Sequence, residues 1–466
     1  MVVGDPPGGR PLRYHFSGIA GAGVNPLARL MRHRGHEVQG SDRAFDQGHR
    51  GDEAAALRAL GIAVVPQDGR GIHQGLDRLV HSTAVEDDTP EMAAARSLGV
   101  TRQTRPALLA DVIGAGRPGV AIAGTSGKST VTGMVGWILR RAGASATVLG
   151  GAPLAGEGSG FSPGDDRAPV VAEACESDGT LVGYRPGIGL IHNVTRDHQE
   201  VDALRAQFDA FAAQCHRLFG NAACPVASDI ARAHGGRTYG LAPGADVPLR
   251  VLALEPERVA GELALPGGAL RLELPHPGAH NLENAAAAAL VAHELGIAPG
   301  AIAEALARFP GMSRRFEVVG TTADGIRVVD DYAHNGAKIR AAVAAAQARP
   351  GRLLAIFQPH GYGPARFLRP ELARLWPEIL RPGDRLCYGP IFYAGGTVTR
   401  DVSSEALAGD LAAALGCACA DDHAGIARWA AAEARAGDTV LVMGARDPAL
   451  AALARAILAA IAARPR

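Results

Sequence analysis

Residues 119–130 read GVAIAGTSGKST. Gly119 to Ala123 form a short run of apolar and small residues, the composition of a strand buried on both faces in a parallel sheet. The run passes directly into Gly124-Thr125-Ser126-Gly127-Lys128-Ser129-Thr130, and a helical pattern follows from Val131 to Ala142. Closely spaced glycines between a strand and a helix let backbone N–H groups converge on phosphate oxygens. Lys128 is then placed to reach the β/γ-phosphates, and the Ser129 hydroxyl to ligate Mg2+. The position where the full motif usually has its first glycine is Ile122 here. Lysine usage adds weight to the reading: of 47 basic residues only Lys128 and Lys338 are lysine, and the other 45 are arginine. A lysine kept inside a glycine-rich loop points to a need for a compact ammonium with three donors.

Upstream, strand-like Arg13 to Ser17 leads into Gly18-Ile19-Ala20-Gly21-Ala22-Gly23 and a helical pattern from Val24 to Arg34. A second strand, Glu37 to Gly40, ends in Ser41-Asp42, an acid about twenty residues past the glycines, where a ribose-binding carboxylate sits in dinucleotide-binding units. This loop alone is compatible with NAD or another nucleotide. Further helix and strand follow (Ala54 to Leu60, Ala63 to Val65, Leu79 to His81) up to a join near Gly114 to Pro118. Downstream of residue 130, strands Val170 to Ala174 and Ile188 to Ile191 and a helix from Asn281 to Leu295 complete a central unit, with a boundary near Pro310-Gly311. Strands Ile326 to Asp330, Leu353 to Phe357, Arg385 to Tyr388 and Thr439 to Met443 then alternate with helices Ala337 to Ala348, Pro370 to Ile379 and Pro448 to Ala463. Alternating strands and helices predict an α/β chain with mostly parallel sheets. The domains expected are Rossmann-like over 1–117, P-loop ATPase-like over 118–310, and Rossmann-like again over 311–466.

Three strand ends carry chemistry. Glu173-Ala174-Cys175-Glu176-Ser177-Asp178 follows an apolar strand, so its first carboxylate is expected near the phosphate loop, where Mg2+ takes oxygen ligands; a solvated acidic loop is the alternative. His192-Asn193-Val194-Thr195-Arg196-Asp197-His198 ends the next strand. Asp330-Asp331-Tyr332-Ala333-His334-Asn335 ends a strand of the third domain, and two acids, a tyrosine and a histidine there favour a cleft over a core, with a helix N-cap as the alternative.

The 466 residues suffice for about three domains. Acidic and basic residues balance at 47 each, so there is no basic field for nucleic acid or an anionic membrane. No apolar run has the length of a membrane span, and Met1 to Arg10 has no apolar core, from which a cytoplasmic location is expected. The six cysteines are scattered without a CxxC pair, which argues against a disulfide framework or structural zinc.

Taken together, HFSGIAGAG (15–23) with GSD (40–42), HSTAV (81–85), GTSGKST (124–130), EACESDG (173–179), HNVTRDH (192–198), GAHNLENAAAA (278–288), SRRFEVVG (313–320), DDYAHN (330–335) and FQPHGYG (357–363) occur in the order found in the Mur ligases, and the chain resembles that family over nearly its full length. The resemblance implies an ATP-dependent amide ligase that works through an acyl phosphate. The GIAGAG loop and FQPH segment are most similar to the branch that adds L-alanine to UDP-N-acetylmuramate in peptidoglycan synthesis. On that likeness Gly18, Ala20, Gly21, Ala22, Gly23, Ser41, Asp42, His81, Ser82 and Thr83 bind the UDP-sugar. Gly124 to Thr130, His280, Asn281, Asn284, Arg315 and Asp331 bind ATP, the last two from the third domain on closure. Ser129, Glu173 and His198 hold Mg2+; Lys128, Glu173, His198 and His334 are the catalytic set; and Tyr332, His334, Lys338 and Arg366 face the amino acid.

The lysine count sorts the family further. Several later-acting members use a carbamoylated lysine in the central domain, and this chain has no lysine between Ser129 and Ala337. It departs from the family at Ser126, where a histidine usually precedes the glycine. Gly336 follows DDYAHN in place of a proline, and Gly361 and Pro364 stand where the alanine-adding branch has arginines. Two further readings therefore stand beside the first: a paralogous ligase taking another amino acid or the murein tripeptide, and a silent binder of UDP-sugar or ATP.

Overall fold

The computed structural model describes residues 10–83, 85–176, 179–195, 200–393, 399–411 and 415–464. His198, with Ala84, Ser177, Asp178, Arg196 and Asp197 of the quoted motifs, lies outside the described residues. The chain forms two compact units, one of residues 1–251, 261–272 and 283–309, the other of 252–260, 273–282 and 310–466. Its architecture is α/β, with three successive sheets.

The first sheet is five-stranded, in the order Ala63–Val64, Glu37–Ser41, Arg13–Ser17, Arg78–His81, Thr101–Thr104, and wholly parallel. Its strand order reverses beside Arg13–Ser17, and the register sets Ser17 level with both Ser41 and His81. The glycine loop, Ser41-Asp42 and His81 to Thr83 therefore leave neighbouring strands at one carboxyl edge, where open α/β sheets take ligands.

In the second sheet Gly119–Ala123 pairs in parallel with Ile188–Ile191 on one side and Val170–Ala174 on the other. All five of its residues are buried, as expected of an apolar strand covered on both faces. The helix Arg105–Ala115 lays Leu108, Leu109, Val112 and Ile113 into the same core as Ala121, Ala123 and Val170. The sheet runs on to ten strands, through Thr147–Leu149 and Phe161–Ser162 beyond Val170–Ala174 and, on the other side, through Arg217–Asn221, Arg237–Gly240 and a meander of Val247–Leu254, Val259–Leu265 and Gly268–Leu274, whose weak apolar alternation gives little signal in the sequence.

The third sheet has the order Glu317–Thr321, Arg327–Asp331, Thr439–Gly444, Leu353–Gln358, Arg385–Tyr388, Cys417–Cys419, with only the first strand antiparallel. Side chains alternate between its faces. Val329, Ala355, Phe357, Leu441 and Met443 enter one core, and Val328, Leu354, Ile356, Val440 and Val442 the other.

Most helices differ from their expected bounds by one to three residues, and two of the differences have a clear physical cause. The helix expected at Val131 begins at Lys128, because Gly127 at φ 82° makes the turn into it. The helix expected from Pro370 is a single element, Tyr362–Ile379, that carries Pro370 and Pro377 inside it. Its buried stripe of Leu368, Leu372, Leu375 and Trp376 holds the helix together across two prolines that by themselves oppose it.

Candidate active site

The glycine loop Gly124 to Thr130 is built from backbone geometry first. Gly124 (φ 144°) and Gly127 (φ 82°) adopt conformations that other residues rarely take, and a Cβ on Gly127 would stand 2.7 Å from Asn284 Oδ1 and from His192 Cδ2. Asn284 is thereby brought to the loop. Asn193, at the end of Ile188–Ile191, braces it from outside: its Oδ1 accepts from Ser126 N and from Thr125 Oγ1, both at 2.8 Å, and its backbone O accepts from Thr125 N at 3.0 Å. The neighbouring His192 meets the Tyr239 hydroxyl at 2.7 Å in the buried interior. The sequence reading quoted Asn193 but gave it no role, since an amide after a strand has no signal until its partner is known.

Lys128 Nζ donates to Gly124 O and to Glu176 Oε2, the latter at 2.8 Å. Burial by itself would depress the lysine, but the negative charge of Glu176, assisted by Cys175 and Glu173, outweighs it and holds the ammonium above its ordinary pKa. Glu176 is the partner that the sequence did not single out. Glu173 instead accepts from Ser129 Oγ at 3.2 Å and from the backbone N–H of Gly151. The two carboxylates of one strand end are thus divided, one on the lysine and one on the serine hydroxyl. Ser129 and Glu173 offer hard oxygen donors side by side, a set that fits Mg2+. Among the described residues no three His, Cys, Asp or Glu side chains converge as a metal cluster.

At the first sheet Gly18 (φ 77°) and Ile19 donate to Ser41 O at 2.9 and 3.0 Å. Asp42 accepts from Ala20 N and from Ala44 N, each at 2.9 Å, so it ties the glycine loop to the helix Arg43–Asp46 that it caps. Arg50 adds a bond to Ala20 O at 2.7 Å. Ser41 turns inward: its hydroxyl and that of Ser17 both bond Glu91, and His15 Nε2 meets the same carboxylate at 2.8 Å. Burial would raise this acid, but His15 and the two hydroxyls pull it below the usual glutamate range. Ser41 therefore shapes the loop through its carbonyl, with its side chain in the core. His81 Nδ1 lies 3.0 Å from Ser82 O.

In the second unit Asn281 Nδ2 donates to Pro277 O at 2.7 Å, and burial lowers the basicity of His280. Arg314 and Phe316 have φ 57° and 51°, a strained turn that presents Arg315. Asp330 and Asp331 hold that turn. Asp330 takes the Arg314 guanidinium at 3.2 Å, and Asp331 accepts from Phe316 N at 2.6 Å and from Ala333 N at 2.7 Å. Burial raises both acids, Asp330 to about 6, against the opposing pull of the arginines. Arg315 stacks over the Tyr332 ring at 4.7 Å. His334 lies 3.4 Å from Lys338 Nζ, and its ring meets that of His360 at 4.9 Å. Arg366 is elsewhere engaged, bonded to Asp401 and to Thr399 O.

A strand–glycine loop–helix with its own lysine and two carboxylates at the end of the neighbouring strand, in the second of three parallel-rich sheets, defines an α/β protein with the architecture of nucleotide-using enzymes. Family profiles place it further: residues 13–117 match the Mur ligase family, catalytic domain, 122–292 the Mur ligase middle domain, and 314–446 the Mur ligase, glutamate ligase domain. The chain is 37% identical over 454 residues to the UDP-N-acetylmuramate–L-alanine ligase of Kineococcus radiotolerans, covering 93% of each. It is 37% identical to that of Acidothermus cellulolyticus, covering 93% of this chain and 92% of the other. The solved UDP-N-acetylmuramate–alanine ligase of Thermotoga maritima shares the fold with a TM-score of 0.78 at 24% identity, over 96% of this chain and 98% of that one. A murein peptide ligase from Psychrobacter arcticus does so at 0.70 and 21%, over 98% and 100%. The chain belongs to the Mur ligase family. No helix among the described residues is long and apolar enough to cross a membrane.

Proposed function

We propose that the chain is an ATP-dependent amide ligase that joins L-alanine to UDP-N-acetylmuramate for peptidoglycan synthesis, working in the cytoplasm. The observation that carries this reading is the loop Gly124 to Thr130, with Lys128 on Glu176 and Ser129 on Glu173, in a chain that matches relatives of that name almost end to end. A carboxylate is a poor acyl donor at neutral pH, so a direct amide bond requires its activation. The γ-phosphoryl group passes to the lactyl carboxylate to give an acyl phosphate; the amine of the amino acid then attacks the acyl carbon, the amide forms and phosphate leaves.

Lys128 and the loop N–H groups hold the charge of the phosphoryl oxygens during transfer. Ser129 and Glu173, together with His198, would hold Mg2+, which when bound supplies further charge neutralisation at those oxygens. Gly18 to Gly23, Asp42 and His81 to Thr83 would receive the UDP-sugar; His280, Asn281, Asn284, Arg315 and Asp331 are assigned to ATP; Tyr332, His334 and Lys338 to the amino acid.

Phosphate release with ATP, Mg2+ and UDP-N-acetylmuramate against a panel of amino acids and the murein tripeptide, with mass spectrometry of the product, tests the proposal. Turnover with L-alanine is the expected result. Turnover with another acceptor alone supports a paralogous ligase, which the glycines at 336 and 361 favour. No turnover with any acceptor leaves only a binding role.

A further inference from the structure

Arg446 follows the central strand Thr439–Gly444 of the third sheet and holds φ 65°, a left-handed conformation that a non-glycine residue keeps only where its surroundings fix it. Register sets Asp331 level with Met443 and Gln358 level with Gly444, so Tyr332, Arg446 and Gly361 leave three adjacent strands at one carboxyl edge. That edge is where an open parallel sheet takes its ligands. The Arg446 N–H bonds the Tyr332 hydroxyl at 3.4 Å, and its Nη1 lies 4.0 Å from the place that a Cβ on Gly361 would take. Gly361 leaves that space open to the guanidinium.

The nearby acids are already engaged. Asp330 holds Arg314, Asp331 accepts two backbone N–H groups, and Asp447 takes Gln358, His423 and Ala449 N. Arg446 is exposed, and among the described residues its guanidinium has no hydrogen bond or ion pair. A strained backbone thus holds out a cation that lacks an internal partner, beside Tyr332 and the buried His334 and His360. The planar fork of a guanidinium matches a carboxylate through two parallel hydrogen bonds.

We propose that Arg446 binds the α-carboxylate of the acceptor amino acid and sets the preference for a free amino acid over an amine that lacks the carboxylate. The assignment rests on the ligase reading above. The variant of choice is Arg446→Gly, because glycine takes φ 65° without strain and the fold is retained. Steady-state kinetics should show the KM for L-alanine raised about 10- to 100-fold, with kcat changed less than about threefold and the KM for ATP unchanged.

A second readout uses L-alaninamide, which keeps the attacking amine and lacks the carboxylate. The unsubstituted protein should favour L-alanine by at least about tenfold in kcat/KM, and Arg446→Gly should abolish that preference. Arg446→Lys should restore only part of it, since it returns the charge without the fork. Unchanged KM and unchanged preference in an active Arg446→Gly protein would overturn the assignment, as would an effect confined to ATP. Failure of the ligase reading itself is a separate result, seen as the absence of turnover in the unsubstituted protein with every amino acid.

Discussion

At the loop Gly124 to Thr130 the cation is already held: Lys128 Nζ lies 2.8 Å from Glu176, and the loop backbone is braced by Asn193. At the carboxyl edge of the third sheet the acids are engaged by backbone N–H groups or by Arg314, while Arg315 rests on a tyrosine ring and Arg446 has no internal counter-ion among the described residues. One site is pre-organised by pairing inside the protein, and the other by leaving charge unpaired. The difference follows from solvent access. The Lys128 and Glu176 side chains are only 13% and 5% exposed, and a buried charge without a partner costs several kcal/mol. An exposed guanidinium has water in place of a partner until an anion arrives.

The largest break in this contrast should come from Lys128→Ala. On the proposed function the variant removes a donor to the phosphoryl oxygens, and kcat for phosphate release should fall about 10^2- to 10^3-fold. It also leaves Glu176 buried alone, so chemical denaturation should register a loss of about 3 kcal/mol. Full activity would refute the role given to the loop.

A pH series sharpens the contrast between the units. Burial, with the charge of Arg327 adding to it, drives His276 of the second unit down to about 4 from an ordinary 6.5, against a hydrogen bond to Pro310 that favours its charged form. The unfolded chain then binds the extra proton first. Stability is complete above about pH 6.5 and declines as the pH falls towards 4, by about 3 kcal/mol in all. Denaturation midpoints of His276→Gln across that range should be flatter than those of the unsubstituted protein. Parallel slopes would show that the histidine is not responsible.

A smaller effect is expected from Asn193→Ala, which leaves the chemistry of Lys128 and Ser129 intact and removes the brace. Loss of its half-buried hydrogen bonds should cost about 1 kcal/mol in denaturation. The KM for ATP should rise while the UDP-sugar affinity stays constant; weaker use of both would mean that Asn193 supports the whole unit rather than the loop.

How far the site was legible follows the range of the interactions. Gly124, Gly127, Lys128 and Ser129 announced themselves because a strand, a glycine turn and a helix N-terminus are contiguous. Glu173 was legible as an acid at a strand end, but its division of labour with Glu176 was not, because two acids three residues apart look alike until burial separates them. Ser41 sits in the expected place in the chain, yet its hydroxyl faces Glu91, fifty positions away. The helix Tyr362–Ile379 runs through Pro370, where local rules alone predicted a start.

Legible in the sequence alone were the central strands of the three sheets, the order of their motifs, the glycine loop with Lys128 and the class of chemistry, since strand periodicity and glycine spacing are encoded over a few residues each. The packing settles which carboxylate meets Lys128, that Asn193 and Glu91 are internal braces, and that Arg446 is held left-handed at a sheet edge with, among the described residues, no internal partner for its guanidinium. Those facts depend on which groups lose contact with water and on which distant strands come to lie side by side, and neither is written in neighbouring residues.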